Sequence, residues 1–531
     1  MVPLLQEKAE LERWLQSAEG KKQQQHFDLS KAENLQKILQ NSADPSALLE
    51  MVYDLLDCRQ RKLSGEFFTP CNVAEDMVRN ALDAFLKYNP VSALENIKVL
   101  DPACGAGEFL LAALKILLEK RRQLQPERSS FELTCEIVEN NLYGIDCNAN
   151  SVQLLRRRLN DLTGGKAAAE HFIVQDALDF DHAGKCFNSD IKFDLVVGNP
   201  PYVSFGLRNV GKISKQRAAE LKKRFVNSAE YKITLYAVFM EFALASTAGN
   251  GINTFIVPDS FLCGQYFGKI RNFLLEHSVF EHFILIRKKL FQAVPGSLIV
   301  YTLRKSPPAE SDKFAAILID RNSSKSIGDL SQGYYMYQAE FKRNFRQRFR
   351  LFFDQQTHDF VRNIEQKSLA KLGDLMVLAS GLIGRSGKRS IISNTPDGSG
   401  DFRPGITSGS CIKSHGRVVW QGEYINCDPS AIKSGLGKID YARKKLFIRQ
   451  TGDRIISAVD NDGLLALNNV HVAVPENPNL DLERLCSYLN SPIMLKYYQA
   501  ITLEANRAMA QIDLETLREL PLTENFLPKE K

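Results

Sequence analysis

Four short apolar runs in the first half of the chain each end at a polar residue, and this pattern constrains the fold more than any other feature. The runs are residues 97–100, 142–145, 172–175 and 193–198, and they are followed by Asp101, Asp146, Asp176 and Asn199. Short apolar runs that alternate with helical spacing predict an α/β fold with a parallel sheet. Because ligands bind at the carboxyl edge of such a sheet, we expect the four polar residues to form one site there.

The first run leads into a glycine turn. It continues as Asp101-Pro-Ala-Cys-Gly105-Ala-Gly107-Glu108, after which leucines recur at helical spacing up to Leu118. Small residues allow a ligand to approach the backbone closely. The turn lacks both glycine patterns that bind phosphates, and acids flank it, so a cationic ligand fits better than a pyrophosphate. A purely structural strand-to-helix turn is the alternative.

The next two strand ends indicate a nucleoside. An acid after the second strand of such a sheet accepts hydrogen bonds from ribose hydroxyls, which is the role expected for Asp146. Asp176 follows the third strand, where its carboxylate can accept from an adenine amino group. Taken singly, either residue is equally typical of a helix cap or a solvated strand end.

Asn199-Pro200-Pro201-Tyr202 follows the fourth strand and suits a planar amino group. The Asn199 side-chain oxygen and the Pro200 carbonyl can both accept hydrogen bonds from an NH₂ group, and Tyr202 offers a flat face for its ring. Two such acceptors draw the nitrogen lone pair out of conjugation, which makes the nitrogen a nucleophile. A simple turn is the alternative for the tetrapeptide alone.

These motifs together resemble the gamma-class, Taq-type adenine-N6 DNA methyltransferases, which use S-adenosylmethionine. The resemblance extends to Gly65-Glu-Phe-Phe-Thr69-Pro70 and covers roughly residues 61–305. It implies catalysis by Asn199, Pro200, Pro201 and Tyr202, with Tyr202 and Phe291 stacking on the target base. It implies cofactor binding by the following residues: Thr69, Asp101, Ala103, Gly105, Glu108, Asp146, Asp176, Ala177 and Asn199.

The implied fold is a doubly wound, Rossmann-like methyltransferase sheet with an antiparallel edge hairpin. We expect a helical segment over residues 1–60, with a capping box at 30–33, and the catalytic domain over 61–305. A linker over 306–369 follows from the Pro- and Ser-containing residues 306–311. Residues 370–531 resemble an α+β target recognition domain, with strands predicted at 418–420, 445–449 and 471–474 and a helix from 482.

Several basic residues are candidates for DNA contact. Those between Tyr202 and Tyr231 follow the catalytic motif and can lie against a phosphate backbone, although a solvated amphipathic helix explains them as well. They are Arg208, Lys212, Lys215, Arg217, Lys222, Lys223 and Arg224. Lys444, Lys445 and Arg449 are further candidates as a group. Residues 341–350 interleave cations with phenylalanines, which is typical either of a nucleic-acid contact or of an amphipathic connector with its Phe side packed.

Composition agrees with this interpretation without requiring it. The chain has 531 residues, a net charge of +6 and ten cysteines without Cys-x-x-Cys spacing. A basic balance is compatible with double-stranded DNA as partner, and the cysteine spacing predicts reduced thiols and no metal site. We expect no membrane segment, a cytoplasmic, prokaryotic location, and a separate chain for any accompanying restriction endonuclease.

Three other functions fit parts of the pattern. The modification subunit of a multisubunit restriction complex shares the cofactor motifs, but it usually ends its catalytic motif in Phe and takes recognition from another subunit. A protein-glutamine methyltransferase uses the same tetrapeptide but is much shorter. A DNA-binding protein with a decayed site is disfavoured by the intact motifs.

Overall fold

The computed structural model divides the chain into two compact units, Met1–Phe349 and Arg350–Lys531. The described residues are 13–14, 17, 33–40, 69–166, 169–205, 213–230, 233–290, 296–387, 389–395, 400–414, 416–505 and 510–527. The expected capping box (residues 30–32 in particular), residues 65–68, Arg208, Lys212 and Phe291 lie outside them.

The first unit is built on a nine-stranded sheet with the order β11-β10-β8-β9-β7-β4-β1-β2-β3. A separate two-stranded sheet pairs β5 with β6. The strands are β1 (Val99–Asp101), β2 (Leu142–Asp146), β3 (Phe172–Val174), β4 (Phe193–Gly198), β5 (Ser204–Phe205), β6 (Ile233–Thr234), β7 (Thr247–Pro258), β8 (Val279–Ile286), β9 (Leu298–Arg304), β10 (Lys313–Ile319) and β11 (Tyr334–Tyr337).

Strands β1, β2, β3, β4 and β7 pair in parallel. Their apolar side chains are buried because helices cover the sheet, as expected of a parallel sheet. Strand β9 lies antiparallel between β7 and β8. The fold class predicted from the sequence, a doubly wound sheet with an antiparallel hairpin near its edge, is therefore confirmed.

Helices pack on the sheet through one large apolar core that includes Met77, Leu117, Val197 and Ile256, all with no exposed surface. The helices of this unit are α1 (Glu33–Gln40), α2 (Cys71–Leu86), α3 (Glu108–Leu124), α4 (Ser130–Asn140), α5 (Ala149–Thr163), α6 (Ala183–Cys186), α7 (Lys215–Arg224), α8 (Leu235–Ser246), α9 (Ser260–Cys263) and α10 (Gly268–His277).

Residues 306–349 are not a linker, as the sequence had suggested, but part of the first unit. Strand β10 pairs in parallel with β8, and β11 pairs with β10. Phe341 and Phe349 are fully buried and stack at a centroid distance of 4.8 Å. The connector interpretation of this phenylalanine-rich segment, with its Phe side packed, is therefore the correct one. The first unit therefore extends well beyond residue 305.

The second unit is α+β. Its two larger sheets have four strands each, in the orders β13-β22-β19-β20 and β15-β17-β16-β21. The strands are β12 (Ala370–Lys371), β13 (Met376–Ser380), β14 (Ile383–Gly384), β15 (Ile392–Ser393), β16 (Phe402–Ile406), β17 (Tyr424–Asn426), β18 (Ile432–Ser434), β19 (Lys445–Arg449), β20 (Ser457–Asp460), β21 (Leu465–Ala466), β22 (Val470–Pro475) and β23 (Pro521–Leu522). The helices are α11 (Gln355–Gln366), α12 (Leu372–Leu375), α13 (Leu482–Leu489), α14 (Pro492–Thr502) and α15 (Leu514–Arg518).

Most elements predicted for the second unit are present, with one exception. Strands β19 and β22 and helix α13 match the sequence pattern. The strand expected at 418–420 is wrong, because Val418 forms a single bridge to Ile412 and the chain then leaves the pairing. Within the described residues, no helix has the length and apolarity that crossing a membrane requires.

Candidate functional site

The four polar residues that end the apolar runs lie along one edge of the sheet. Strand β1 pairs in parallel with both β2 and β4, and β2 pairs in parallel with β3. The carboxyl ends of these strands are therefore neighbours, as the sequence predicted. Asp101 and Asp146 end their strands, Asn199 follows β4 directly, and Asp176 lies just beyond β3.

Asp101 is a buried carboxyl group at the centre of this edge. Only 1% of its surface is exposed, and its Oδ1 accepts a hydrogen bond from the Ala103 backbone N–H at 3.0 Å. A methyl group on Gly198 would lie 2.8 Å from that oxygen, so the end of β4 must be glycine. The pKa of Asp101 is raised to about 8, mainly by burial; the bond from Ala103 lowers it, and the negative charge of Asp146 adds a smaller increase. A cation bound nearby would favour ionisation.

Asp146 joins the second strand to the glycine turn. Its Oδ2 accepts from the Gly105 N–H at 2.8 Å, and its Oδ1 accepts from the Asn148 N–H at 2.8 Å. Burial raises the pKa of Asp146, while these two bonds lower it. Because a carboxylate has about four acceptor positions, Asp146 can hold the turn and still accept from ribose hydroxyls.

The glycine turn leaves one side open. Gly105 and Gly107 have φ of +50° and +94°, which L side chains rarely adopt. A Cβ on Gly107 would lie 2.2 Å from Leu155, whereas a Cβ on Gly105 would meet nothing within 4 Å. Gly107 is therefore required for helix packing, and Gly105 faces space that a ligand can enter.

Glu108 has protein partners on both carboxylate oxygens. Arg158 donates to Oε1 at 2.6 Å, and Cys71 Sγ donates to Oε2 at 2.9 Å. Arg158 also donates to the Ala106 carbonyl at 3.0 Å, so it braces the turn from helix α5. No sequence pattern indicates this role of Arg158, since fifty residues separate it from Glu108. A direct contact between Glu108 and a cofactor stays a prediction.

Thr69 orients the Asn199 amide. Asn199 Nδ2 donates to Thr69 Oγ1 at 3.2 Å, and Thr69 is only 6% exposed. With its nitrogen directed at Thr69, the amide presents Oδ1, its acceptor atom, on the other side. Pro200 is buried, and Pro201 and Tyr202 are half-buried.

Tyr202 is fixed at its hydroxyl end. The hydroxyl donates to the Ile256 carbonyl of β7 at 3.0 Å, and the ring meets Tyr236 edge-on at 6.3 Å between centroids. Tyr236 in turn stacks on the half-buried Phe267, which sequence reasoning did not identify. Burial raises the pKa of Tyr202 well above its usual value, so the ring stays neutral at physiological pH.

Asp176 is paired with an arginine from the basic segment. Its Oδ1 accepts from the Leu178 N–H at 3.0 Å, and its Oδ2 accepts from Arg217 Nη2 at 2.7 Å. Arg224 donates to the Leu178 carbonyl at 2.6 Å. The suggested phosphate contacts by Arg217 and Arg224 therefore compete with pairs inside the protein. Ala177, next to Asp176, is buried.

The candidate DNA contacts in the second unit need correction. Lys445 has no exposed surface and donates to Asp460 at 2.5 Å, so its assignment as a DNA contact is wrong. Arg449 donates to the Ile412 carbonyl at 2.6 and 3.0 Å, and Lys444 pairs with Glu483 at 2.6 Å.

Other exposed residues of the second unit were missed by sequence reasoning. Arg417 is exposed beside the Ile412–Val418 bridge, and Trp420 is 40% exposed. Trp420 Nε1 donates to the Glu423 carbonyl at 2.7 Å, and Tyr424 meets the indole edge-on at 5.4 Å. The indole is thus held in one orientation with part of its surface free for a partner.

Comparisons with known proteins agree with this geometry. Residues 140–291 match the Eco57I restriction-modification methylase family, and residues 79–159 match the DNA-methyltransferase domain of MmeI. Residues 406–522, all in the second unit, match the TaqI-like C-terminal specificity domain.

Parts of the chain are similar to curated type II methyltransferases. The type II methyltransferase M.BstVI of Geobacillus stearothermophilus is 29% identical over 211 residues, which cover 38% of this chain and 35% of the relative. M.BanIII of Aneurinibacillus aneurinilyticus is 25% identical, over 46% of this chain and 39% of the relative. The chain thus spans little more than a third of the length of these curated relatives.

Solved structures share the fold. The type IIL restriction-modification enzyme MmeI in complex with DNA aligns with a TM-score of 0.55 and 16% identity, over 87% of this chain and 69% of that one. The DrdV–DNA complex aligns with a TM-score of 0.59 and 11% identity, over 94% of this chain and 58% of that one.

The first unit is similar over residues 79–291 to methyltransferase domains of restriction-modification enzymes, and the second unit is similar over residues 406–522 to a specificity domain. S-adenosylmethionine is the cofactor that this similarity implies. The residues present fit it, because a buried carboxyl and an open glycine turn lie beside two further acids.

The raised pKa of Asp101 gives a pH prediction. Below about pH 8 the carboxyl is mostly protonated, and binding a cation must release that proton. We therefore expect the affinity for S-adenosylmethionine, relative to that for S-adenosylhomocysteine, which keeps the amino group but lacks the sulfonium charge, to rise with pH by up to about tenfold per unit and to level off above the pKa. Calorimetry of both ligands across this range measures the ratio.

The matched control is Asp101→Asn, which keeps the shape and cannot ionise. Its affinity ratio should be independent of pH, and a ratio that still rises in this variant would assign the effect to another group. In the ligand-free protein the same shift acts on stability. The folded carboxyl ionises near pH 8 and the unfolded one near 3.8, so stability from this group falls as pH rises between those values.

Proposed function

We propose that this chain transfers a methyl group from S-adenosylmethionine to N6 of adenine at a defined site in double-stranded DNA. One observation carries the proposal: Asn199 follows the buried strand β4 and has its amide oriented by Thr69, next to the strand ends that carry Asp101 and Asp146. An amino-group acceptor and a cofactor site are therefore adjacent.

The chemistry rests on two acceptors that the chain holds in place. Asn199 Oδ1 and the Pro200 carbonyl accept hydrogen bonds from the target amino group, which localises the nitrogen lone pair. Proline restrains the backbone at both positions that follow Asn199, so the acceptors need little reorganisation. Bound S-adenosylmethionine supplies the electrophilic methyl group.

We assign each acid at the strand ends to a different part of the cofactor. Asp101, buried and next to the open glycine turn, favours the cationic methionine end, and Asp146 accepts from the ribose hydroxyls. Asp176 and Ala177 lie at the adenine end. Positioning by rigid strands, rather than a strong base, supplies most of the rate enhancement.

The target base must leave the duplex to reach this edge, because its amino group is inaccessible inside the helix. Stacking on an aromatic ring offers about 1–3 kcal/mol per base, which offsets part of the cost of unstacking. Tyr202, fixed through Ile256, is the described residue that we assign to this stacking. Phe291, outside the described residues, is the second candidate by the family pattern.

We assign site recognition to the second unit. Its match to a specificity domain over residues 406–522 favours recognition by this chain over the alternative, a modification subunit that relies on a separate specificity subunit. Arg417 and Trp420 offer a cation and an oriented aromatic surface for the duplex. The two units divide at residue 349, inside the predicted linker 306–369, and the boundary between 1–60 and 61–305 stays a prediction.

The decisive experiment is expression in a bacterial host that lacks adenine methylation, followed by methylation-sensitive sequencing of its DNA. We expect N6-methyladenine at every copy of one short sequence and none in a host with empty vector. Methylated cytosine instead would refute the adenine assignment. Methylation that requires a co-expressed second subunit would support the alternative function.

We further propose that the protein acts in the cytoplasm of a prokaryotic cell.

A further inference from the structure

Helix α7 lies against the loop that follows strand β3. Arg217 contacts Asp176 through Nη2 and Asp179 through Nη1, each at 2.7 Å. Arg224 donates to the Leu178 carbonyl at 2.6 Å and pairs with Asp181 at 3.2 Å. Both arginines of the helix thus bind the loop that carries Asp176.

The helix has little apolar contact to hold it there. Leu221 is the single buried side chain of this fully described helix, whose other residues are two alanines and lysine, glutamine, glutamate and arginine. Ser214 caps its N-terminus by accepting from the Arg217 N–H at 3.0 Å. The position of helix α7 against the loop after β3 therefore depends mainly on the arginine contacts.

The helix also belongs to a segment that starts at the catalytic motif. Strand β5, which begins two residues after Tyr202, pairs antiparallel with β6, and α7 lies in the chain between them. The Leu235 N–H donates to the Val203 carbonyl at 2.8 Å. The segment between Tyr202 and β6 thus places helix α7 against the loop after β3.

We propose that Arg217 is a positioning residue for Asp176 and that helix α7 closes the adenine end of the cofactor site. The proposal rests on the proposed function, because it takes Asp176 as the acceptor for the adenine amino group. With Oδ1 bound to the Leu178 N–H and Oδ2 bound to Arg217, the carboxylate has one orientation. Each oxygen keeps a second lone pair for the ligand.

This arrangement predicts salt-sensitive release of the cofactor. The Asp176 side chain is 47% exposed and that of Arg217 24%, so dissolved ions screen their pairing. Weakening the pair frees the carboxylate to rotate and loosens the helix. The cofactor should then leave faster, whereas the strand ends that hold the methyl group and the target base are unaffected.

The test compares Arg217→Ala and Arg217→Lys with Lys222→Ala, a matched control that removes an exposed cation from the same helix. Stopped-flow measurements give cofactor release without DNA. We expect Arg217→Ala to release S-adenosylmethionine about tenfold faster and to raise its KM, with kcat at saturating cofactor unchanged. Arg217→Lys should release the cofactor at a rate between those of wild type and Arg217→Ala, because lysine keeps the charge but lacks the planar guanidinium group that contacts two carboxylates. Lys222→Ala should release S-adenosylmethionine at the wild-type rate in the absence of DNA.

The salt dependence of cofactor release distinguishes a positioning role of Arg217 from a merely structural one. Release from wild type should accelerate between about 0.05 and about 0.5 M NaCl, and Arg217→Ala should lose this acceleration. If Arg217→Ala fails to fold by circular dichroism, Asp179→Asn replaces it, because it weakens the hold on Arg217 and leaves Asp176 intact. Asp179→Asn should act in the same direction with a smaller effect.

Unchanged release in Arg217→Ala, or equal effects in Arg217→Ala and Lys222→Ala, would overturn the proposal. So would loss of DNA affinity with normal cofactor release, since that result assigns the helix to phosphate contact. Failure of the proposed function is distinguishable, because it would appear in the wild-type protein itself, either as no binding of S-adenosylmethionine or as methylation of a base other than adenine.

Discussion

Asn199→Ala should reduce methyl transfer by at least about a hundredfold, the size of effect seen when one preorganised hydrogen-bonding group is removed from a reacting centre. The variant loses the Oδ1 acceptor that localises the lone pair of the target nitrogen. Cofactor affinity should change little, because Asp101 and Asp146 hold their positions through backbone N–H groups. Single-turnover methylation of a DNA duplex, with calorimetry of S-adenosylmethionine, measures both quantities.

Thr69→Val is the matched control for the orientation of the Asn199 amide. It keeps Asn199 and removes the oxygen that accepts from Asn199 Nδ2. We expect a smaller loss than in Asn199→Ala, since the acceptor is present but no longer fixed. Near-wild-type methylation by a folded Asn199→Ala protein would contradict the catalytic role of the tetrapeptide.

The strand-end site could be predicted from sequence because each of its parts is local. An apolar run followed by Asp or Asn, with helical spacing between runs, leads to a parallel sheet, and a parallel sheet brings the ends together. Asp101, Asp146 and Asn199 lie where this reasoning put them. Thr69, which fixes Asn199, is 130 residues away, and its local motif suggested a cofactor contact but not this hydrogen bond.

The errors have the same physical origin. Lys445 was taken for a surface cation because its neighbours are basic, yet it lies directly opposite Asp460 in the β19–β20 pair. Only the register of that hairpin reveals a buried ion pair. The linker over 306–369 was inferred from Pro and Ser alone, although the apolar run that becomes β10 begins at Phe314. Its pairing with β8 requires a crossover that composition cannot specify.

A fragment of residues 1–305 should fail to fold, whereas a fragment of residues 1–349 should be folded and monomeric and should bind S-adenosylmethionine. The missing segment supplies β10 and β11 to the sheet. It also supplies Phe314, Phe341 and Phe349, all fully buried. Burying a phenylalanine contributes about 1.5–3 kcal/mol, so their loss amounts to roughly 5–9 kcal/mol, comparable with the whole stability of a domain.

The shorter fragment would also leave the long apolar strand β8 as an unpaired edge, which favours aggregation. Size-exclusion chromatography, thermal unfolding and calorimetry of the cofactor compare the two fragments with the full chain. Equal solubility and cofactor affinity of both fragments would mean that 306–349 adds nothing to the catalytic unit.

The longer fragment should still lose site-specific methylation, because residues 406–522, which match a specificity domain, are absent from it. Phosphate contacts position a protein on DNA without reading sequence, so any remaining affinity should be weak, strongly salt-dependent and indifferent to sequence. Methylation of a plasmid by the 1–349 fragment and by the full chain, mapped by sequencing, measures the difference. If the fragment methylated one defined sequence as the full chain does, recognition would lie within the first unit, and the role assigned to Arg417 and Trp420 would be wrong.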